Sequence, residues 1–360
     1  METIHQYLTK RVFLSLFLLT LFSSCGFKSN TEKGDAEEIN TMDSHVFNQL
    51  LEEANGGNAA SQTKIGNCYY FGNGVKRDVE QAVTWWTKAS NQGEMEAQFR
   101  LGNSYYNGEG CGQDLEQAIY WWTCAAKQGD AFAQNTLGLC FDSGVGVAVD
   151  GEQAAYWYTK SANQSYDEAQ YNLGTCYARG FGVPEDNYQA VLWYTKAANQ
   201  GNALAPKSLG YCYYYGNGVT KDGKLATYWW TKAAEQGVVA AQYELAVCYR
   251  TGDGVEKDDD KAIYWYTKAA QQGDAGAQYN LGCVYNDGIG VERNLSQAVF
   301  WWTKAAEQNV PDAQYNLGYV YYNGLGVKKD VEKGIYWWTK AAEQGHIDAQ
   351  KNLITIKGSE

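Results

Sequence analysis

The sequence predicts an all-α fold, a right-handed superhelical solenoid built from antiparallel helix pairs. The first observation is a pattern that returns every 36 residues, without insertion or deletion, across most of the 360-residue chain. Such a period is typical of stacked arrays, in which each small unit buries its apolar face against its neighbours. The second observation is helical spacing of the apolar residues within one period, and the third is the placement of glycine and aspartate at the helix ends.

The first helix of each unit, called helix A, has three apolar columns. In the last copy Ala313, Leu317 and Tyr321 lie four residues apart and form one face. Gly318 lies on that face and allows another helix to approach closely; Ala246 fills this column in one unit. Helix A ends at a glycine in every copy, which suits a left-handed C-cap, and a second glycine two residues later gives the loop freedom in φ.

The second helix, called helix B, begins at an acidic cap. Asp78 represents a column that holds Asp in seven of the eight units and Asn294 in the other. Such side chains accept hydrogen bonds from free backbone N–H groups. Gln81, three residues later, completes a capping-box pattern that recurs in five units. Two adjacent columns of helix B hold all 13 tryptophans. We interpret both columns as core packing.

The combined pattern is A-x-x-x-L-G-x-x-Y-x-x-G-x-G-V-x-x-D, followed by A-x-x-W-[WY]-T-K-A-A-x-Q-G. It resembles the Sel-1-like repeat family, a relative of the tetratricopeptide repeats, over roughly residues 61–350. The resemblance implies an interaction scaffold that binds a protein or peptide. Some members of the family act in bacterial envelopes or at host surfaces.

The N-terminus predicts a secretory signal peptide over residues 1–24. Lys10 and Arg11 precede an apolar run from Val12 to Phe22, which is shorter than the roughly 20 apolar residues needed to span a bilayer. The following Ser-Ser-Cys resembles a bacterial lipobox, with Phe in place of the usual Leu, and predicts lipidation at Cys25. The alternative is an ordinary signal peptide with a free cysteine nearby.

The rest of the chain divides into four predicted segments. Residues 25–42 form a flexible, lipid-anchored tether, and 43–57 form an N-terminal capping helix. Residues 61–348 hold eight repeats, and 349–360 form a C-terminal capping segment. This arrangement predicts a lipid-anchored protein of the bacterial cell envelope, either periplasmic or surface-exposed.

The charge balance limits the class of partner. The formal net charge is −12, and −13 without residues 1–24. A surface this acidic argues against binding nucleic acid and against direct binding of acidic lipid headgroups. We therefore expect membrane contact through the N-terminal lipid only.

Five cysteines share one helix A column: Cys68, Cys140, Cys176, Cys212 and Cys248. Equivalent points on stacked helices lie about 8–10 Å apart or more, beyond the roughly 7 Å that a disulfide allows between Cα atoms. We expect these five to be small buried hydrophobes. Cys111, Cys124 and Cys283 lie off this column, and a disulfide and a free thiol both stay open for them.

Catalytic chemistry has little support in this sequence. His45 and His346 are the histidines outside residues 1–24, one near each end, so we predict no His-based catalytic pair, no metal and no cofactor. Ser61 and Lys64 match S-x-x-K, the start of a penicillin-interacting serine site. A cell-wall or β-lactam hydrolase is therefore an alternative, although the S-D-N and K-T-G partners are absent and Ser61 fills a small-residue column. The Asp258–Asp260 run is interpreted as a cap with solvated carboxylates, with calcium as the alternative.

The helix A columns that vary between units predict a binding surface on the concave face of the solenoid. Tyrosine and asparagine dominate it, as they do in binding paratopes. The predicted ligand-binding residues are Asn67, Tyr70, Asn103, Tyr106, Tyr211, Tyr214, Arg250, Tyr319 and Tyr322. We predict a non-catalytic scaffold that holds a protein or peptide there, with glycan binding in the same groove as the alternative. The structural alternative is that some of these tyrosines pack on the neighbouring helix A.

Overall fold

The computed structural model describes residues 43–357. The predicted signal peptide, the tether and the lipidation at Cys25 lie outside the described residues. Within that range the chain forms 18 α-helices and no strand, so the all-α prediction is confirmed. The helices are α1 Ser44–Asn55, α2 Ala59–Phe71, α3 Val79–Asn91, α4 Met95–Asn107, α5 Leu115–Lys127, α6 Ala131–Ser143, α7 Gly151–Ala162, α8 Asp167–Arg179, α9 Asn187–Asn199, α10 Ala205–Tyr215, α11 Gly223–Glu235, α12 Val239–Thr251, α13 Asp259–Gln271, α14 Ala275–Asp287, α15 Leu295–Glu307, α16 Pro311–Asn323, α17 Val331–Glu343 and α18 Ile347–Lys357.

The helices stack in chain order. Even-numbered helices from α2 to α18 are helix A, and odd-numbered helices from α3 to α17 are helix B. Each helix packs on the one before it and the one after it, and the two helices of a pair pack most closely. This nearest-neighbour arrangement confirms the predicted solenoid of helix pairs. No helix among residues 43–357 combines the length and apolarity that crossing a bilayer would need.

The second aromatic column of helix B is the centre of each unit's core. All eight of its rings are 1–4% exposed: Trp86, Trp122, Tyr158, Tyr194, Trp230, Tyr266, Trp302 and Trp338. The first column is less buried, because only Trp85 and Trp157 fall below a tenth exposed and the other six tryptophans are half-buried. The core interpretation is thus confirmed in full for the second column and in part for the first.

The close approach predicted at the column glycine is confirmed, and its partner is a side-chain ring. A methyl group added to Gly102 would lie 2.5 Å from the Trp122 ring. The same overlap, under 3.0 Å, occurs at all seven glycines of the column. In the remaining unit, the sixth in chain order, Ala246 shares a core cluster with Tyr266. This unit therefore accommodates a methyl group against a smaller ring.

The N-cap hydrogen bonds of helix B form as predicted. The prediction that the Gln81 side chain accepts in return from the N–H of the cap residue is wrong. The Asp78 carboxylate accepts from the Gln81 backbone N–H at 3.0 Å, and the other units repeat this contact. The Asp78 N–H, which a capping box would give to the Gln81 side chain, donates to the Tyr69 carbonyl of helix A at 2.9 Å. Each cap therefore joins the two helices of its pair.

The two glycines after helix A have fixed conformations. The first takes φ between 62° and 80° as a left-handed C-cap, which confirms the prediction, and the second takes φ between 66° and 75°. A methyl group added to Gly110 would lie 2.5 Å from the carbonyl oxygen of Val79, at the start of the preceding helix B. The second glycine therefore also allows the loop of one unit to pack against the preceding unit.

A column of buried glutamines, which the sequence analysis did not single out, links three consecutive helices. The Gln134 side-chain amide donates to the Ala126 carbonyl at the end of α5 at 2.9 Å. Its carbonyl oxygen accepts from the Gln164 side chain, just beyond α7, at 2.8 Å. Seven units repeat both bonds, through Gln62, Gln98, Gln134, Gln170, Gln242, Gln278 and Gln314.

The fifth unit departs from this pattern. Pro206 occupies the glutamine position, and α10 has 11 residues where the other helices A from α2 to α16 have 13. The Asn202 side chain accepts from the N–H groups of Leu204 and Ala205 at 3.1 and 3.0 Å. A local turn therefore replaces the first turn of the helix, and one link of the glutamine column is absent.

The substitution Gly210→Ala tests the helix-to-ring contact. We expect a loss of about 1–3 kcal/mol in the free energy of unfolding, because the methyl group would overlap the Trp230 indole and overpacking costs about that much. Gly174→Ala is the matched control, since Tyr194 is smaller and the Ala246 unit shows that such a ring tolerates a methyl group; its cost should stay below about 1 kcal/mol. Urea unfolding followed by tryptophan fluorescence measures both, and equal losses would contradict this account.

The substitution Tyr158→Phe tests a buried hydroxyl without a partner. The Tyr158 hydroxyl is buried and makes no hydrogen bond to any residue of the described range 43–357, and burial raises its pKa well above the ordinary value. Removing it should leave stability unchanged or raise it by up to about 1 kcal/mol. Tyr194→Phe is the control: its hydroxyl lies 3.2 Å from the Thr175 hydroxyl, so its loss should cost about 0.5–1.5 kcal/mol. Thermal unfolding compares the two, and a larger loss for Tyr158→Phe would overturn the argument.

Candidate binding surface on helix A

The nine predicted ligand-binding residues all lie on helix A and form three separate groups. Four belong to α2 and α4, three to α10 and α12, and two to α16. Arg250 and Tyr319 are exposed, and the other seven are partly buried. The structure therefore does not gather the nine into one site. Their binding role stays a prediction, and their contacts within the chain can be described one group at a time.

The asparagines of the first group hold tryptophans of the core. The Asn67 side-chain carbonyl accepts from the Trp86 indole N–H at 3.1 Å, and Asn103 accepts from Trp122 at 2.9 Å. The Asn67 amide also donates to Glu96 of the next unit at 3.1 Å. Both asparagines thus satisfy buried indole donors, which is sufficient to explain their presence.

Five predicted tyrosines pack on rings of the second aromatic column, and one of them, Tyr211, stands edge-on to Trp230 with 5.4 Å between centroids. The ring centroids of Tyr70, Tyr106, Tyr214 and Tyr322 lie 5.0–5.6 Å from those of Trp86, Trp122, Trp230 and Trp338. Where this column holds Tyr158, Tyr194 or Tyr266, the packing position holds Asp142, Ala178 or Arg250 instead. Trp302 is the exception, since Asn286 occupies the packing position in its unit. In the other four tryptophan units the tyrosine packs on the tryptophan of its own helix pair.

The middle group on α10 and α12 has the most features of a binding surface. The Tyr211 hydroxyl donates to Glu244 of the next helix A at 2.8 Å. The Tyr211 ring stacks on Tyr215 with 6.3 Å between centroids, and Tyr215 is 64% exposed. Burial raises the pKa of the Glu244 carboxyl, an effect that the Tyr211 hydrogen bond opposes. Arg250 adds an exposed positive charge six residues after Glu244 on the same helix. We call Tyr211, Tyr215, Glu244 and Arg250, which lie on the adjacent helices α10 and α12, the central cluster.

A second carboxylate on helix A titrates near neutral pH. Burial raises the pKa of Glu168 to about 7, although the Tyr166 hydroxyl donates to it at 2.8 Å and opposes the shift.

Tyr166 also packs on Phe132, with ring centroids 5.0 Å apart, and Phe132 lies 6.2 Å from Phe99. These three rings form an aromatic ridge across three units at the N-terminal ends of α4, α6 and α8.

The serine and cysteine predictions can be compared with the structure directly. The Ser61 side chain is 5% exposed and donates to Glu53 at 2.8 Å, whereas Lys64 is exposed. The hydroxyl is therefore engaged with α1 and separated from solvent. The five column cysteines are buried thiols, as predicted, and burial raises the pKa of the Cys140 and Cys176 thiols to about 12. Among residues 43–357, neither these five nor Cys111, Cys124 and Cys283 form a disulfide.

The acidic run on α13 serves as a cap. Asp258 accepts from the Lys261 backbone N–H at 2.9 Å and pairs with the Lys261 ammonium at 3.0 Å. Among residues 43–357 no group of three or more His, Cys, Asp or Glu side chains is arranged to hold a metal ion. The capping interpretation therefore accounts for Asp258.

The Sel1 repeat family matches eight consecutive segments of the chain: residues 59–94, 96–130, 131–166, 167–202, 208–238, 239–274, 275–310 and 311–346. The chain belongs to the Sel1 repeat family. Its fifth match begins at residue 208, just after Pro206, where the first turn of helix A is replaced. A Sel1 chain of this kind is a helical repeat scaffold.

Two solved structures support this assignment. The chain is 38% identical to c5321, a protective antigen present in uropathogenic Escherichia coli strains displaying an SLR fold. That match covers 86% of this chain and 67% of the other, with a TM-score of 0.81. A Sel1 repeat protein from Oxalobacter formigenes is 32% identical over 91% of this chain and 98% of its own, with a TM-score of 0.68. Comparison with curated proteins gave no match.

The Glu168 carboxyl makes stability depend on pH. Because its folded-state pKa is about 7 and its ordinary value 4.5, the folded chain binds more protons between these values, and stability should fall as pH rises through this window. The unchanged chain should lose roughly 1–3 kcal/mol of unfolding free energy between pH 5 and pH 8, and Glu168→Gln should not show this loss. Thermal unfolding at the two pH values measures it, with Glu116→Gln, on an exposed part of α5, as control. An unchanged pH dependence in Glu168→Gln would show that this carboxyl is not responsible.

Proposed function

We propose that the chain is a non-catalytic scaffold of the bacterial cell envelope that holds a protein or peptide partner against its helix A face. The central cluster is the observation that carries this proposal. It combines two stacked tyrosines, a half-buried carboxylate and an exposed arginine on adjacent helices A. Tyrosine and arginine are the residues that most often dominate binding energy at protein interfaces. Stacking also fixes the Tyr211 and Tyr215 rings, which lowers the entropy cost of binding.

Two features support an envelope location. The N-terminal sequence has the features of a signal peptide over residues 1–24, followed by Cys25 and a polar tether. The similar E. coli protein is described as a protective antigen, a property that suits a protein accessible at the cell surface. A lipid at Cys25 and a tether of 17 residues after it would let the solenoid reach partners near the membrane.

The two alternatives differ in their support. A hydrolase that uses Ser61 would need its hydroxyl free, and this hydroxyl is buried and donates to Glu53. Glycan binding in the helix A groove is the second candidate, because Tyr215 and Tyr319 present rings that are 64% and 49% exposed. A sugar could stack on either ring.

A crosslinking pull-down from the native cell envelope tests the proposal. The baits are the full chain and a Tyr215→Ala, Arg250→Ala variant, which removes two exposed groups of the central cluster. The control variant is Tyr188→Ala, Lys224→Ala, which removes an equally exposed ring and one positive charge from helix B. We expect a partner that the full chain and the control retain and that the cluster variant loses at least 10-fold.

Two results would count against a protein partner at this surface. The first is equal capture by all three baits, which would place binding elsewhere. The second is no enriched protein with any bait while circular dichroism shows equal helicity. Titration with cell-wall glycans, followed by tyrosine fluorescence, would then test the second candidate.

A further inference from the structure

Helix B presents two exposed rows that the predicted function does not use. The position before the first tryptophan column holds an aromatic residue in six units, and four residues later seven units hold lysine. The rings, 48–56% exposed, are Tyr120, Tyr156, Tyr228, Tyr264, Phe300 and Tyr336. The lysines are Lys88, Lys160, Lys196, Lys232, Lys268, Lys304 and Lys340. We call these rows together the aromatic–lysine ladder, and one ring with its lysine a rung.

Each rung has a defined geometry. The six rings stand edge-on to the neighbouring first-column tryptophans, with centroids 4.9–5.1 Å apart and interplanar angles of 71–81°. In five units the lysine ammonium lies 5.1–6.0 Å from the ring centroid. In the two units without a ring, Lys88 and Lys196 lie over Trp85 and Trp193 at 4.0 and 3.6 Å. Rings and cations are therefore held in place before any ligand arrives.

Helix stability does not explain the whole ladder. Lysine in the last turn complements the helix dipole, which accounts for the positive charges. It does not account for six half-exposed rings, which together present roughly 600 Å² of aromatic surface, as much as the largest patch on a typical monomer. Leu192 and Thr84 fill the same column in two units, so the fold does not require an aromatic residue there.

Acidic side chains border the ladder on both sides. One row lies a turn before the rings, in five units: Glu80, Glu116, Glu152, Asp260 and Glu332. Eight residues separate it from the lysines, about 12 Å along the helix, which exceeds the Debye length of about 8 Å at physiological salt. Closer acids follow the lysines by three residues in three units, as Glu235, Glu307 and Glu343, and Lys340 pairs with Glu343 at 3.7 Å. In the rungs of Lys160 and Lys268, the third residue after the lysine is uncharged: it is Asn163 in the first and Gln271 in the second.

We propose that the aromatic–lysine ladder binds a linear acidic polysaccharide. The rungs lie on every second helix of the stack, in the same position on each helix B, and a polymer of regular units can meet every rung in the same way. The C–H faces of sugar rings pack on aromatic side chains, and sugar carboxylates pair with ammonium groups. This inference concerns helix B and stands independently of the function proposed for helix A.

Two other classes of polyanion fit less well. Each strand of duplex DNA carries one phosphate about every 3.4 Å of helix axis, whereas the ladder offers one cation per rung. A membrane is a broad surface, so docking there would also bring the acidic row of helix B against anionic headgroups. A single thread can follow the lysines and leave the acidic row in solvent.

Isothermal titration of the full chain with polygalacturonate tests the proposal. Its methyl ester has the same backbone without the charge and is the matched control ligand. We expect binding of the acid form that weakens at least 10-fold between 50 and 300 mM salt, and at least 10-fold weaker binding of the ester. Alginate and hyaluronan extend the test to other uronic acid polymers.

Three variants separate the parts of the ladder. Lys160→Gln, Lys196→Gln, Lys268→Gln should weaken binding at least 10-fold. The control Lys64→Gln, Lys76→Gln, Lys328→Gln makes the same charge change at exposed positions off the ladder and should alter affinity less than 2-fold. Tyr156→Leu, Tyr264→Leu should weaken binding about 5-fold without changing its salt dependence, since Leu192 shows that the fold accepts leucine there.

Several results would overturn the proposal. One is the absence of binding to all three acidic polysaccharides by a chain whose circular dichroism is native. Another is an equal loss in the ladder and control lysine variants, which would indicate non-specific charge attraction. Tighter binding of single-stranded DNA, a polyglutamate peptide or anionic phospholipid vesicles would assign the ladder to another class of ligand.

Discussion

The contact between the column glycine of helix A and the second aromatic ring of helix B sets the geometry of seven of the eight units, and Ala246 takes the place of the glycine in the other. No side chain separates the two, so the helices of a pair approach as closely as a ring and a backbone allow. That distance determines where the helix A face lies, because the residues after each glycine are those that reach over the ring. Tyr70, Tyr106, Tyr214 and Tyr322 lie where they do because a tryptophan is beneath them.

Polar contacts then relate one unit to the next. In seven of the eight units, the buried glutamine of helix A joins the end of the helix before it to the end of the helix after it, so three helices share one pair of hydrogen bonds. The loop glycines add a second contact between units, since they allow backbone to pack on backbone. A repeat protein stabilises itself through such nearest-neighbour terms. Apolar burial supplies most of the energy, and these bonds specify the register.

The fold could be predicted from sequence because its causes recur eight times. Alanine, leucine, glycine and tryptophan each occupy a fixed column, and repetition separates such columns from chance. The buried glutamine also forms a column, directly after the alanine, and could have been found by the same reasoning. Its hydrogen bonds could not, because they join residues 8 and 30 positions apart whose proximity depends on the packing itself.

The candidate surface was harder to predict for a different reason. Tyr70 belongs to a column that varies between units, as binding residues do, but this column holds tyrosine only where the ring beneath it is tryptophan, in four of five such units. A column can thus vary between units because its residues pack on different core rings or because they bind a ligand. Only the contacts in the structure distinguish these two causes. The aromatic–lysine ladder was missed because its rings lie beside the tryptophan columns and share their apolar character, while their exposure depends on which side of helix B faces the next unit.

The fifth unit gives the array an uneven mechanical character. Pro206 removes one glutamine link, and α10 packs less closely on α9 than any other helix A on its preceding helix B. If all contacts between consecutive units were equally strong, the array could open at any of them. With one weaker contact, it opens there first. When the array is pulled from its two ends, this junction is expected to open first and to leave two blocks of four units, each with its own packing.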